Sequence, residues 1–191
     1  MKTVSDNHIE PVIEQVVAEV TACVCQVSPE SVSQARALME AAPRIFLAGA
    51  GRSGLCMQAL GMRLMHLGKT VYVVSETTTP SIAAEDLLIL GSGSGQTASL
   101  LVIAEQARRL GAKTLLFTTG ATSPLAKLAD YRVVIPALKD AEGGRGLISV
   151  QPMGSLFEQS LLILCDSLIL GLMQQSEVSA EQMFERHANL E

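Results

Sequence analysis

A loop rich in glycine and hydroxyl groups follows a short apolar run near the middle of the chain. This loop is Gly91–Thr97, Gly-Ser-Gly-Ser-Gly-Gln-Thr, between a predicted strand at Leu87–Leu90 and a predicted helix from Ala98 to Leu110. Alternate glycines let a backbone approach a ligand closely, and the unpaired N–H groups at a helix N-terminus favour an anion. The Gly-Lys-Ser/Thr ending of a P-loop does not occur here. The loop predicts a phosphate site, although a plain turn before a helix also fits; its hydroxyl donors would be Ser92, Ser94 and Thr97.

A second glycine motif, Gly49–Gly54, has the spacing G-x-G-x-x-G between a predicted strand and a predicted helix. Glu76 follows the next strand, at about the distance where dinucleotide-binding folds place the acid that binds ribose. A dinucleotide enzyme is therefore one interpretation, but the chain leaves no room for a substrate domain after the sheet. Two Gly/Ser loops at neighbouring strand ends suit one compact phosphate with a sugar attached, and phosphosugar binding is the preferred interpretation.

Glu158 is the first candidate for acid–base chemistry. It starts a helical face whose other members are apolar, namely Leu162, Cys165, Ile169 and Leu172. Such surroundings raise the pKa of a carboxyl group towards the range that is useful for proton transfer. The segment from Ser155 to Glu158 also fits an S-x-x-E capping box, in which Glu158 would only cap its own helix. The spacing alone leaves both roles open.

Further polar residues near the two loops are candidates for substrate binding. Arg52 offers a charged fork to phosphate or to substrate hydroxyls, or else faces solvent. Ser53 is predicted to be the N-cap of its helix, to bind phosphate, or both. Glu76 and Thr77 would line the sugar pocket or form a turn. Arg145, among glycines, would close over the site or simply be mobile.

Apolar periodicity predicts two N-terminal helices, over residues 6–26 and 28–41, and then alternating strands and helices. This alternation predicts a parallel sheet with helices on both faces. The five predicted strands are Arg44–Ala48, Thr70–Val74, Leu87–Leu90, Lys113–Thr118 and Tyr131–Ile135.

We expect a single domain. Residues 1–42 would form helices on the core or on a partner subunit, 43–136 the sheet core, and 153–191 the C-terminal helices. The segment 137–152, polar and rich in glycine, is predicted to be mobile or a lid. A long helix from Ser155 to about Gln174 is apolar nearly all round and is predicted to be buried.

Composition narrows the classes of function. Of the 191 residues, 48% are hydrophobic and only 17% charged, so we expect part of the apolar surface to be covered by another subunit. The formal charge of −5, with two tyrosines and no tryptophan, argues against a nucleic-acid surface. Met1–Glu10 has no apolar core of a signal peptide, and Leu161–Met173 is too short to span a membrane. The four cysteines lack zinc spacing, so we expect reduced, packed thiols in a cytoplasmic protein.

Taken together, the motifs resemble those of a sugar isomerase (SIS) domain, and within that superfamily the 6-phospho-3-hexuloisomerases. The resemblance covers essentially the whole chain after the first helix. Serine-rich loops alone would indicate only the superfamily. Three further segments point to the family, namely Glu76–Pro80 (Glu-Thr-Thr-Thr-Pro), Pro152–Glu158 (Pro-Met-Gly-Ser-Leu-Phe-Glu) and Arg186–Glu191 (Arg-His-Ala-Asn-Leu-Glu).

The resemblance implies a flavodoxin-like α/β/α sandwich with five strands, a homotetramer, and active sites at subunit contacts. It implies conversion of D-arabino-hex-3-ulose 6-phosphate to D-fructose 6-phosphate, after the 3-hexulose-6-phosphate synthase of the ribulose monophosphate pathway, with no metal or organic cofactor. The resemblance also favours Glu158 as the base. It makes His187 a candidate for an acid–base partner or for the group that opens a cyclic form of the sugar. His66 is a weaker candidate, since histidines near helix ends are often packed or interact with the helix dipole.

Two positions depart from the pattern of the resembled family. The family commonly has a bulkier residue at Gly91 and glutamate at Gln96. Glycine is expected to loosen the strand end, and no catalytic role is assigned to position 96. Two related interpretations stay open: a non-catalytic SIS module that binds a sugar phosphate, and an isomerase of another phosphosugar such as arabinose 5-phosphate.

Overall fold

A parallel sheet of five strands forms the centre of the computed structural model, which describes residues 9–137 and 149–190. The strand order is β2-β1-β3-β4-β5, and every neighbouring pair is parallel. The predicted α/β class with five parallel strands is therefore confirmed, and the order is that of flavodoxin-like folds. His8, Arg145 and most of segment 137–152 lie outside the described residues. The strands are β1 (Arg44–Gly49), β2 (Thr70–Val73), β3 (Leu87–Gly91), β4 (Lys113–Thr118) and β5 (Tyr131–Val134).

Helices cover both faces of the sheet because successive strand side chains point to opposite sides. Ile45 and Leu47 of β1 pack in the core beneath α1, α2, α3 and α6, while Phe46 and Ala48 pack beneath α4 and α5. These two cores make three layers, as predicted. The helices are α1 (Glu10–Val24), α2 (Pro29–Ala41), α3 (Gly51–His66), α4 (Ala98–Arg109), α5 (Pro124–Leu128), α6 (Ser155–Ser176) and α7 (Ala180–Glu185).

The start of α3 differs from the prediction. The helix begins at Gly51 with Ala50 as its N-cap, so the predicted capping role of Ser53 is wrong. A Cβ atom on Gly49 would lie 2.8 Å from the Cα of Gly54, so the two glycines let α3 approach the end of β1 closely. This packing accounts for the glycine spacing and brings the N-terminus of α3 to the edge of the sheet.

Helix α6 is not buried all round. Nine of its residues are buried against the sheet and its neighbours, but Leu162, Ile163 and Leu170 are exposed. By length and composition α6 could cross a membrane, yet half of its most apolar 18-residue window is buried inside the fold, as in a core helix. The expectation of complete burial is therefore wrong for one face, which remains apolar and uncovered in the single chain.

Candidate active site

A cavity of about 270 Å³ lies at the carboxyl ends of β1 and β3, where Gly49 and Gly91 are paired in register. The chain turns away from β1 and β3 in opposite directions along the sheet at this point, and open α/β folds bind their ligands at such a switch point. The residues around the cavity come from the loops after the two strands and from the start of α6. They are Ala50, Ser53, Gly91, Ser92, Gly93, Ser94, Thr97, Gly154, Phe157 and Glu158.

The hydroxyl groups of the phosphate loop (Gly91–Thr97) are already oriented. Ser92 Oγ accepts a hydrogen bond from the Gly95 N–H at 3.2 Å and lies 3.4 Å from Thr97 Oγ1, and Ser94 Oγ accepts from the Gln96 N–H at 3.2 Å. Because these serine oxygens serve as acceptors within the loop, their hydrogens remain available to an acceptor in the cavity. A phosphate oxygen is such an acceptor, and phosphate binding by this loop stays a prediction.

The phosphate loop is held by the segment after β4. The carbonyl of Gly93 accepts hydrogen bonds from Thr119 Oγ1 at 2.7 Å and from the Thr119 N–H at 3.1 Å. Gly95 has a left-handed φ of 60°, and a Cβ atom there would collide with Ser123. Phe157 packs against Gly93 from the other side. Sequence reasoning gave no role to Thr119, which lies in no motif, or to Phe157, although Phe157 belongs to the Pro152–Glu158 segment.

Two helix N-termini add positive potential at the cavity. Helix α4 follows Thr97 and α3 follows Ala50, and both of these N-cap residues line the cavity. Within the described residues, neither N-cap side chain accepts a hydrogen bond from its helix. The first N–H groups of both helices are therefore oriented like those that bind anions elsewhere.

Glu158 lines the same cavity, one turn into α6. The N-cap of α6 is Gly154, which has no side chain for capping, so the predicted capping box from Ser155 is wrong. The Glu158 side chain is only 17% exposed and forms an ion pair with Arg52. Its predicted apolar surroundings are therefore only partly present, because a guanidinium covers the carboxylate and Leu162 faces solvent.

Buried thiols make up part of the apolar side of this carboxylate. Cys56 Sγ donates a hydrogen bond to the backbone carbonyl of Glu158 at 3.4 Å, and Cys165 lies two turns further along α6. Burial raises the pKa of both Cys56 and Cys165, so both remain protonated at neutral pH. All four cysteines carry free thiols. Cys23, Cys56 and Cys165 are packed as predicted, whereas Cys25 is exposed, so the prediction of a packed thiol is wrong there.

Arg52 makes a contact that the sequence did not predict: its Nε donates to Glu158 Oε2. The side chain is 64% exposed, in keeping with the solvent-facing alternative, and its contact with phosphate or substrate hydroxyls stays a prediction. Arg52 and Glu158 are separated by 106 positions in sequence, and no local pattern could have paired them. The guanidinium thus stands at the rim of the cavity, in contact with the candidate base.

Glu76 and Thr77 follow β2 at the same edge of the sheet, in an exposed turn. The Thr79 N–H donates to the Glu76 carbonyl at 3.1 Å, and Thr79 Oγ1 donates to the Val73 carbonyl at 2.5 Å. These bonds fit the turn role, and neither Glu76 nor Thr77 is among the described residues that line the cavity. Their contact with substrate stays a prediction.

His187 lies at the far end of α3 from Glu158 within the single chain. Its ring stacks on His66 at 5.4 Å and on Phe184 at 5.9 Å, beside a separate cavity of about 420 Å³. From Arg52, which contacts Glu158, to His66 the helix rises 1.5 Å per residue over 14 residues, or roughly 21 Å. One chain therefore does not bring His187 and Glu158 together.

His66 is 3% exposed and is held as a neutral ring. Its Nδ1 lies 3.3 Å from Arg63 Nη1, and a guanidinium can only donate, so Nδ1 accepts. Burial lowers the pKa of His66, and the nearby Arg63 and His187 lower it further. The Arg186 Nη1 donates to the His66 backbone carbonyl at 2.9 Å and so ties the C-terminal segment to α3.

Fold and site together define a doubly wound α/β protein with a small polar cavity at its switch point and a carboxylate across that cavity. Residues 38–163 match the family model described as SIS domain. The chain is 46% identical to the 3-hexulose-6-phosphate isomerase of Mycobacterium gastri over 91% of this chain and 86% of that protein. It is 38% identical to the Bacillus subtilis protein of the same name, over 94% of this chain and 97% of that one.

A solved structure agrees with these relatives. It is a Methanococcus jannaschii protein for which a 3-hexulose-6-phosphate isomerase function was inferred, with a TM-score of 0.82 and 30% identity over 95% of this chain and 99% of that chain. The chain belongs to the SIS domain family, and within it to the group of the 3-hexulose-6-phosphate isomerases. The resemblance deduced from the glycine and serine loops is thereby confirmed.

Proposed function

We propose that this chain is a 3-hexulose-6-phosphate isomerase that converts D-arabino-hex-3-ulose 6-phosphate into D-fructose 6-phosphate. The observation that carries the proposal is that the Glu158 carboxylate and the hydroxyl groups of the phosphate loop line one small cavity. The names of relatives at up to 46% identity supply the substrate. The cavity offers hydroxyl groups that can bind the phosphate of this substrate. It also offers a carboxylate that can remove a proton from the substrate's carbon chain.

The reaction moves a carbonyl group from C3 to C2 of the sugar. Glu158 removes the proton from C2, the electron pair forms the C2–C3 double bond of an enediolate, and the oxygen on C3 becomes an oxyanion. The hydroxyl proton on O2 passes to the O3 oxyanion, the protonated Glu158 returns a proton to C3, and the carbonyl forms at C2. One carboxylate on one face of the enediolate serves both carbons, so the step is balanced within the substrate and Glu158.

Binding of the phosphate positions the carbons for this proton transfer. The phosphate accepts hydrogen bonds from Ser92, Ser94 and Thr97 and from the first N–H groups of α4, and Ser53 at the start of α3 faces it. Its binding energy, remote from C2 and C3, holds the sugar against Glu158. Glu76 and Thr77 then contact the sugar from the neighbouring strand end.

The direct test supplies hexulose 6-phosphate from a synthase reaction and follows the formation of fructose 6-phosphate. Wild-type protein should form product, and a folded protein that forms none contradicts the proposal. Glu158→Gln should bind the substrate and lose turnover by about 10²-fold or more, since general-base catalysis contributes at least that much. Arabinose 5-phosphate, followed through the formation of its own product ribulose 5-phosphate, should react more slowly than the hexulose.

We also place His187 in the active site of a neighbouring subunit. The single chain separates His187 from Glu158 along α3, yet the exposed faces of α3 and α6 between them carry apolar side chains. A second copy related by a two-fold axis across α3 would run antiparallel to it. That arrangement brings the His66 end of one copy to the Arg52 end of the other.

Subunit mixing tests this arrangement. Glu158→Gln and His187→Gln should each be inactive alone, and together they should regain activity, because a mixed pair contains one site with both native residues. Statistical mixing of equal amounts predicts roughly one quarter of wild-type activity. Activity that never returns after verified subunit exchange would show that both residues act within one chain or that His187 has no catalytic part.

The product and substrate place the protein next to a 3-hexulose-6-phosphate synthase in the ribulose monophosphate pathway, which fixes formaldehyde in one direction and supplies pentose phosphate in the other. We infer a cytoplasmic homotetramer that needs no metal or organic cofactor. Every group in the proposed reaction belongs to the substrate or to an amino-acid side chain. Full activity of protein dialysed against a chelator would support this, and activity regained only with an added metal would contradict it.

A further inference from the structure

The short segment before α6 determines where Glu158 sits. Helix α6 begins at Ser155, directly after Met153 and the N-cap Gly154. Met153 has a left-handed φ of 57°, a conformation that costs a non-glycine residue on the order of 1 kcal/mol and persists only where its surroundings hold it. Any shift of this turn moves the first turn of α6 and, with it, Glu158.

Glu19 of α1 holds the residues that lead into this turn. Its Oε2 accepts from Ser149 Oγ at 2.6 Å and from Gln151 Nε2 at 3.2 Å, and its Oε1 accepts from the Val150 N–H at 3.1 Å. The Ser149 Oγ in turn accepts from the Gln151 N–H at 3.0 Å. One carboxylate thus binds three consecutive residues from 130 or more positions away in sequence.

The same helix packs on the body of α6. Val20 and Cys23, on the inner side of α1, are buried in the core that contains α6. The C-terminal half of α1 therefore packs on α6, and Glu19 contacts the segment that leads into α6. The hydrogen bonds from Ser149 and Val150 lower the pKa of Glu19, so the carboxylate is ionised, and a full acceptor, at neutral pH.

We propose that Glu19 is a positioning residue: its carboxylate holds Ser149–Gln151 so that α6 starts at Ser155 and presents Glu158 to the phosphate loop. The catalytic consequence rests on the proposed isomerase function. The contact between Glu19 and Ser149–Gln151 does not rest on that function, because it concerns only the local order of residues 149–158. Glu19 carries no sequence motif, and its partners are recognisable only from the fold.

Kinetics of Glu19 variants test the consequence for catalysis. Glu19→Ala should lower kcat by about ten- to a hundredfold, the range expected when a reacting group shifts by a fraction of an ångström to one ångström. KM for hexulose 6-phosphate should change much less, because the phosphate loop belongs to β3 and α4. Glu19→Gln keeps one acceptor oxygen and should be intermediate. Glu14→Ala, an exposed carboxylate on the same helix, is the matched control and should behave as wild type.

Hydrogen–deuterium exchange provides a readout that needs no activity. Glu19→Ala should exchange faster than wild type at residues 149–158, with no change in the peptides of β1 or β4, and Glu158→Gln should exchange as wild type does. Unchanged exchange at 149–158 would overturn the proposal. Faster exchange with an unchanged kcat would also overturn it, because Glu158 would then not depend on the contact. A wild-type protein without isomerase activity would refute the proposed function alone, since exchange still decides whether Glu19 holds the segment.

Discussion

Arg52 and Glu158 form the pair on which the chemistry of the cavity depends. The guanidinium is largely exposed, whereas the carboxylate is mostly enclosed. A phosphosugar brings a second negative group into a cavity that already contains Glu158. The positive charge of Arg52 offsets the repulsion between the two anions and orients the carboxylate, so we expect Arg52 to support both substrate binding and turnover.

Replacement of Arg52 tests this. Arg52→Gln should raise KM and lower kcat, with a combined loss of about 10²-fold in kcat/KM, because a charge-assisted hydrogen bond to a mostly enclosed carboxylate is removed. Arg52→Lys keeps the charge without the fork and should recover part of the loss. Arg108→Gln, on the outer surface of α4, serves as the control. Equal loss in the lysine and glutamine variants would mean that charge plays no part.

The sequence suggested that Gly91 would loosen the end of β3, and this expectation is wrong. The residue is buried, paired with Gly49 and Phe117, and the space beside it is filled by Met57. A Cβ atom on Gly91 would lie 2.9 Å from Met57 Cγ and 3.1 Å from its Sδ. The methionine thus takes the volume that a bulkier residue at position 91 would occupy.

Gly91→Ala should therefore cost about 1–3 kcal/mol in the free energy of unfolding, the usual range for overpacking a core. Met57→Ala alone opens a cavity and is also destabilising. The double variant should be less destabilised than the sum of the two, since the new methyl group enters the vacated space. Denaturant unfolding at one protein concentration measures all three, and additive losses would contradict the contact.

Sequence predicted the parts of the site that lie close together along the chain. The phosphate loop needed only its own glycines and hydroxyl residues, whereas Glu158 was preferred as a base over a helix cap only through the resemblance to the family. The contact of Arg52 with Glu158 and that of Glu19 with Ser149 could not be predicted, because each depends on how α3 or α1 lies against α6. The separation of His187 from Glu158 in one chain depends on the same packing.

At the scale of elements, α3 connects two groups of functional candidates. Its N-terminus is drawn to the sheet edge by Gly49 and Gly54, and its C-terminus carries His66 against the C-terminal segment. Most predicted strands and helices begin and end within two residues of the observed ones, because hydrophobic periodicity and capping residues are local signals. The start of α3 was missed because a close approach of glycines, rather than a capping side chain, determines it.

The buried His66 at the end of α3 makes stability depend on pH. Its pKa is lowered in the folded state, so below the ordinary value of about 6.5 the unfolded chain binds the proton more readily than the folded one. The stability contributed by the neutral ring is complete above that value and is lost as the pH falls below it. Protonation of Nδ1 would also break its bond with Arg63.

We expect the Tm of wild type to fall between pH 7.5 and pH 5.5, and that of His66→Gln to fall by less, with a difference of roughly 1–3 °C for a chain of this size. Glutamine keeps a polar acceptor near Arg63 but does not titrate. Scanning calorimetry at one protein concentration measures both, since assembly makes Tm depend on concentration. An identical fall in the two proteins would show that His66 is protonated without cost in the folded state.

At the scale of the whole molecule, the described residues include two sets of apolar side chains, on α1 and on α3 with α6, that the single chain leaves uncovered. Both sets agree with the low fraction of charged residues in the sequence, 17%. If each set forms its own two-fold contact, the two contacts together generate a tetramer with dihedral symmetry. One set, on α1, is Ile9, Val12, Ile13 and Val17; the other, on α3 and α6, includes Leu55, Met62, Leu162, Ile163 and Leu170.

Charge placed in each set distinguishes the two contacts. Met62→Glu, midway along the exposed face of α3, should separate the subunits that share active sites and abolish isomerase activity together with that contact. Ile13→Glu should break the contact through α1, leaving dimers that keep their activity, because Ile13 lies on an exposed face of α1 and not on α3 or α6. Sedimentation velocity gives the assembly and the hexulose assay the activity of the same samples. If Met62→Glu were a folded monomer with full turnover, each subunit would hold a complete site, and His187 would have no role in its neighbour.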